Sequence, residues 1–291
     1  MKKILVPTDF SAPAENAAKY AISMAKVLDA RITIANAFIL PVPVSESGLW
    51  PVIDTADREG NIGGKLDLMV KKLLDDSCPD DPGNCPLVDY RCAEGPVISV
   101  IKQISAQIDT DLVVMGLSGA GGLVNFVLGS NSMAIIEKGD RPVLLIPFGA
   151  RYHGIKKIVY AGSLTPQDIK PLEYLCKLAS WFKAEVCVLH IIEMRKDLNT
   201  GMQAIGEDFI DQMRILTGYN KIRYEPVWNS DIDKGLEWIA EQEDIDIVSM
   251  LHRNHNILDK IFSGSRTKRF ARYTTTPLLV FPPHYIEKKV R

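Results

Sequence analysis

The chain has 291 residues, of which 46% are hydrophobic and 24% charged, and its formal net charge is −2. That balance suits a globular fold with room for two domain cores, and it offers no basic footprint for nucleic acid or an anionic membrane surface. No apolar run approaches the ~20 residues of a membrane span, and Met1-Lys2-Lys3 leads into an apolar strand rather than a signal peptide, so the expected location is the cytoplasm.

The first element is the strand Ile4-Leu5-Val6, which ends in Pro7-Thr8-Asp9. A helix from about Ala12 to Leu28 follows, with Ser11 as its N-cap and Pro13 in its first turn; Ala17, Ala21, Met24, Ala25 and Leu28 form its apolar stripe. A second strand covers Ala30 to Phe38. The segment from Pro41 through Trp50 comes next, at the strand's carboxyl end, where long loops often serve as lids; Trp50 is the candidate anchor of such a lid. Gly63-Gly64-Lys65-Leu66 fails as a P-loop because no Ser or Thr follows the lysine.

Cys78 and Cys85 flank a turn-rich stretch that brings them near each other. With five cysteines in all, an odd number, no secreted disulfide framework is indicated; a redox pair of Cys78 and Cys85 stays open, reduced thiols are the expectation in the cytosol, and Cys176 and Cys187 read as buried fillers. No Cys-x-x-Cys spacing supports zinc.

Asp111-Leu-Val-Val-Met115 reads as a buried parallel strand. Gly116-Leu-Ser-Gly119 follows it, then nine residues, then Gly129-Ser130-Asn131-Ser132 at the opening of a helix that runs from Asn131 to Lys138. Glycines at a strand end admit a ligand close to the backbone, and a Gly-Ser pair at a helix start presents amides and a hydroxyl to an anion. Strand, glycine loop and helix in that order read as a phosphate cradle, against the alternative of ordinary turn glycines with an N-cap serine.

The chain repeats itself. A shift of 154 carries Lys3–Asp9 onto Lys157–Ser163 and Ala30–Phe38 onto Ala184–Ile192. A shift of 135 carries Asp111–Met115 onto Asp246–Met250, Gly129-Ser130 onto Gly264-Ser265, and Arg141–Pro147 onto Thr276–Pro282. Strands alternating with helices in each half imply right-handed crossovers and a parallel sheet covered on both faces. The expected fold class is α/β: two tandem, doubly wound, five-stranded parallel-sheet domains over 1–149 and 154–283, then a C-terminal tail, 284–291. A ligand is expected outside the strand carboxyl ends.

The opening Ile4-Leu-Val-Pro-Thr-Asp9-Phe-Ser11, the Gly-x2-Gly-x9-Gly-Ser motif and the closing Arg141-Pro-Val-Leu-Leu-Ile-Pro147 resemble the universal stress protein family, and the whole chain resembles its tandem form. The resemblance implies an adenine nucleotide alpha hydrolase-like fold and an ATP-binding, stress-response signalling role, with Mg²⁺ accompanying the phosphates. Carried over by match, Asp9 would hydrogen-bond the nucleoside, with Pro7 and Thr8 as the wall beside it. Ala37 would offer backbone contacts to adenine, Met115 and Gly116 would line the floor, and Gly119, Gly129, Ser130 and Asn131 would hold the phosphate chain. For Asp9 taken alone, a capping carboxylate at the helix start is an equal reading. The family pairing of last strands implies that Val143–Ile146 and Leu278–Phe281, expected as edges, pair the halves as a pseudo-dimer, with homodimerisation beyond that.

The second half departs from the pattern: Leu251 and Asn254 stand for Gly116 and Gly119, and Ser163 for Asp9, although Gly264-Ser265-Arg266-Thr267 persists. One competent nucleotide site per chain is expected. His252-Arg-Asn-His255 lacks a carboxylate or cysteine and reads as a solvated polar loop, while His190, which replaces Asn36, is a pocket or core histidine. No Ser-His-Asp or Cys-His set and no Walker-B carboxylate is present, so the chain is not expected to be an enzyme beyond slow ATP hydrolysis. The competing readings are a nucleotide-free interaction or ligand-carrying protein of the same fold and a slow ATPase.

Overall fold

The computed structural model describes residues 3–39, 55–79, 83, 85–117, 129–193, 201–229, 244–253 and 276–287. The chain divides into two compact units, Met1–Met115 and Gly116–Arg291.

The first unit runs β1 (Lys3–Pro7), α1 (Ala12–Leu28), β2 (Arg31–Phe38), α2 (Thr55–Ser77), β3 (Val88–Glu94), α3 (Val97–Ile108) and the start of β4 (Leu112–Leu117). Its strands lie in the order β3-β2-β1-β4 and are parallel, with Lys3 opposite Arg31, Ile4 opposite Leu112 and Ile32 opposite Val88. Ile4, Leu5 and Val6 are consecutive and all buried, as expected of a strand covered on both faces.

Helix α1 starts where the Ser11 hydroxyl accepts from the Ala14 amide at 3.4 Å, and it stops at Asp29, which adopts a left-handed conformation. The five stripe residues from Ala17 to Leu28 are buried; the alanines let the helix axis approach the sheet. Glu15 accepts from Lys72 at 2.8 Å and pairs with Lys19 at 3.2 Å, while Lys19 pairs with Asp76 at 2.9 Å, so ion pairs stitch α1 to α2. Gly63 and Gly64 sit inside α2 and are therefore no phosphate loop. Contrary to the expected reduced thiols, Cys78 and Cys85 are joined in a disulfide just past α2, their Cα atoms 6.0 Å apart.

The second unit comprises α4 (Ser130–Lys138), β5 (Val143–Pro147), β6 (Lys157–Ala161), a 3-10 turn (Pro166–Asp168) leading into α5 (Ile169–Phe182), β7 (Glu185–Glu193), α6 (Met202–Thr217), β8 (Ile222–Asn229), β9 (Ile247–Leu251), β10 (Leu278–Phe281) and α7 (Pro283–Glu287). The strand order is β5-β10-β9-β6-β7-β8. The pairings are parallel except β5 with β10, which are antiparallel with Val143 opposite Val280 and Leu145 opposite Leu278. β10, expected as an edge, thus has a strand on each side. The helices expected between β8 and β9 and between β9 and β10 lie outside the described residues. Beyond β10, α7 sets Tyr285 against Phe281 and Tyr174, ring centroids 5.1 and 6.2 Å away. Among the described residues no helix is long and apolar enough to cross a membrane.

Candidate functional site

In the first unit, Pro7 ends β1 and Ala37 lies near the end of β2, opposite Ala93. Thr8 is buried between them: its amide donates to the Ala35 carbonyl at 2.8 Å, its hydroxyl accepts from the Phe10 amide at 3.0 Å, and its carbonyl accepts from Asn36 Nδ2 at 2.7 Å. Phe10, at φ 64°, turns the chain from strand toward helix. Asp9 is exposed, and its Oδ1 accepts from the Ser11 amide at 3.0 Å. One oxygen therefore does the helix-start work that its position allows. Met115 is buried in β4, a parallel neighbour of β1. Pro7, Thr8, Asp9 and Ala37 thus gather at the carboxyl ends of two adjacent strands. Asn36, absent from the sequence-based set, locks those ends together; an amide side chain in the apolar carboxyl half of β2 was its signal.

In the second unit, Gly116 continues β4, and Gly129 is the N-cap of α4, with Ser130 and Asn131 exposed in the first turn. Gly129 has ordinary extended dihedrals, φ −60° and ψ 150°, and a Cβ placed there would meet nothing within 4 Å. Its conformation does not require glycine, and among the described residues neither does packing. Gly119 and Trp50 lie outside the described residues, as do Asn254, His255 and Gly264–Thr267.

The second repeat sets a different group of side chains at the equivalent strand ends. The Gly162 amide donates to the Leu189 carbonyl at 3.0 Å, as Thr8 does to Ala35, and His190 Nδ1 lies 3.0 Å from the Gly162 carbonyl, where Asn36 meets Thr8. A carbonyl only accepts, so Nδ1 carries the hydrogen.

Asp168, at the start of α5, is 1% exposed. It accepts from the Tyr160 hydroxyl at 2.6 Å, the Ser163 amide at 3.2 Å, the Thr165 amide at 2.9 Å, the Thr165 hydroxyl at 3.2 Å and Arg253 Nη2 at 2.6 Å. Arg253 Nη2 also donates to the Thr165 hydroxyl at 2.9 Å. Burial, and then the Asp168 charge, push the Tyr160 phenol far above its usual range.

These groups rim a cavity of about 110 Å³ lined by Ser163, Asp168, His190 and Arg253 over Leu189, Met250 and Leu251. Gly162 is required here: a Cβ would lie 2.6 Å from Tyr160 Cε1. The repeat alignment held the signal, since the shifts of 154 and 135 set Tyr160, Gly162, Asp168 and Arg253 against Val6, Thr8, Ala14 and Ser118. His252, expected in a solvated loop, is instead buried directly after β9, its amide donating to the Phe281 carbonyl at 2.9 Å. Ladder bonding carries one residue past the strand. Among the described residues no cluster of three or more His, Cys, Asp or Glu is placed to hold a metal.

Comparison with known proteins matches the model of the Universal stress protein family to residues 1–147 and again to 154–282. A universal stress protein of Methanocaldococcus jannaschii is 31% identical over 147 residues, 50% of this chain and 81% of its own. Among solved structures, a universal stress protein of Archaeoglobus fulgidus superposes with a TM-score of 0.70 at 16% identity, covering 96% of this chain and 98% of its own. A Pseudomonas aeruginosa PAO1 protein of unknown function gives 0.57 at 13% identity, covering 98% and 94%. At those identities the structural matches speak for the fold alone. With its family pattern present twice over nearly the whole length, the chain belongs to the universal stress protein family.

Proposed function

We propose that this chain is a stress-response signalling protein that binds ATP, accompanied by Mg²⁺, through its first repeat, with at most slow hydrolysis. Pro7, Thr8, Asp9, Ala37, Met115 and Gly116 would enclose the nucleoside, and Gly119, Gly129, Ser130 and Asn131 would hold the phosphates. The observation that carries the reading is Gly129. Gly129 caps the helix without a side chain, and among the described residues nothing lies within 4 Å of a Cβ built there, which leaves the backbone of this helix start open to a ligand. The expected setting is the cytoplasm and the expected assembly a homodimer of pseudo-dimeric chains.

On this reading a nucleotide would act by occupancy, shifting which surface the chain presents. Equilibrium dialysis of ATP tests this. The native chain is expected to bind one ATP, and Gly129→Ala to lose at least tenfold in affinity with an unchanged circular dichroism spectrum. Unaltered affinity in that variant removes the site.

A further inference from the structure

We propose that the cavity of the second repeat binds a short-chain carboxylate, held by Arg253 and His190 above an apolar floor. Its size suits a small ligand: among the described residues it holds about 110 Å³, under the ~300 Å³ at which pockets for larger ligands begin. That is several times the ~10–15 Å³ of such space that one water needs, so a small organic anion has room.

Arg253 is already set in place. Both of its hydrogen bonds, to Thr165 and Asp168, use Nη2, and among the described residues Nε and Nη1 take no partner. Its side chain keeps 27% exposure against 2% for Asp168. A guanidinium held by one nitrogen keeps a rigid planar edge for a two-oxygen acceptor, with little further entropy to lose on binding. Asp168 does not consume that charge alone, because the Tyr160 hydroxyl, the Ser163 and Thr165 amides and the Thr165 hydroxyl also donate to it. His190 is likewise fixed through Nδ1, which leaves Nε2 for a ligand, and the Ser163 side chain completes the polar rim.

Ala161, Leu189, Ile191, Met250 and Leu251 supply the remaining wall. A flat head with an apolar body fits such a lining; a phosphate, which needs donors on every side, does not. The change from Val6, Thr8, Ala14 and Ser118 to Tyr160, Gly162, Asp168 and Arg253 is concerted, since the Tyr160 ring reaches Asp168 only across a glycine. A merely decayed nucleotide site has no reason to assemble that set.

The test is calorimetric titration of the full chain with propionate, inorganic phosphate and ATP. One propionate is expected per chain, at least tenfold weaker in Arg253→Lys, which keeps a cation beside Asp168 but loses the planar edge. The same loss is expected in His190→Asn, which keeps the donor to Gly162 as Asn36 does for Thr8. Gly129→Ala should leave propionate binding intact, which separates this site from the nucleotide site. Should Arg253→Lys fail to fold, His190→Asn decides alone. No saturable propionate binding, phosphate binding equally tightly, or ATP displacing propionate would overturn the assignment.

Discussion

Asp168 places a carboxylate among buried groups, and it is tolerable there because five donors converge on it. Removing it strands the Arg253 guanidinium, the Tyr160 hydroxyl and two amides at once. Breaking a buried pair from one side costs about 3–5 kcal/mol, and Asp168→Ala is expected to lose about 3 kcal/mol in urea denaturation, since Arg253 can partly turn to solvent. A loss under about 1 kcal/mol, the range of an exposed pair, would show that the network contributes little. This centre was only half legible in the sequence. That Ser163 replaces Asp9 follows from the repeat; that Asp168 meets Arg253, 85 residues further on, does not, because the pairing depends on how α5 and the end of β9 approach. Asp9 shows the reverse case: its capping contact with the Ser11 amide is seen, while the ligand role proposed for it is not chosen by local chemistry alone.

At the scale of elements, α1 was readable to the residue because its signals are local: a serine cap, a proline in the first turn and a stripe of period 3.6. The link from α1 to α2 was not, since it depends on charges some sixty residues apart. The Glu15 carboxyl is held below its usual range, chiefly by the hydrogen bond from Lys72, against a smaller opposing effect of burial. A depressed carboxyl stabilises the fold above the ordinary carboxylate range, and that stabilisation is lost as pH falls through it. Glu15→Gln should therefore cost a few tenths of a kcal/mol to about 1 kcal/mol at neutral pH. The difference from the native chain should shrink toward pH 3 and in 1 M salt; a gap that stays constant across both would rule out an ionic origin. The disulfide marks another limit of sequence reading: spacing showed that Cys78 and Cys85 can meet, while their redox state depends on surroundings that composition does not encode.

For the molecule as a whole, the two-fold repetition was plain in the sequence and the pairing of β5 with β10 was suggested only by resemblance. β10 bonds to β9 on one side and β5 on the other, and its four residues are buried. Leu279→Pro removes a ladder donor and forces the backbone away from its neighbours. It is expected to cost about 3 kcal/mol or more and to speed amide exchange at Leu144 and Leu145. Fast exchange at β9 with β5 still protected would mean that β5 draws its order from elsewhere.

Having β5 and β10 in one polypeptide also changes what each repeat is free to become. Two separate chains would form that antiparallel ladder only as often as they collide, whereas a covalent join holds its strands at an effective concentration on the order of millimolar at any dilution. The mirrored halves then no longer need mirrored chemistry. One repeat can keep a bare glycine at a helix start while the other takes on a tyrosine, an aspartate and an arginine, and the β5–β10 pairing need not change with them.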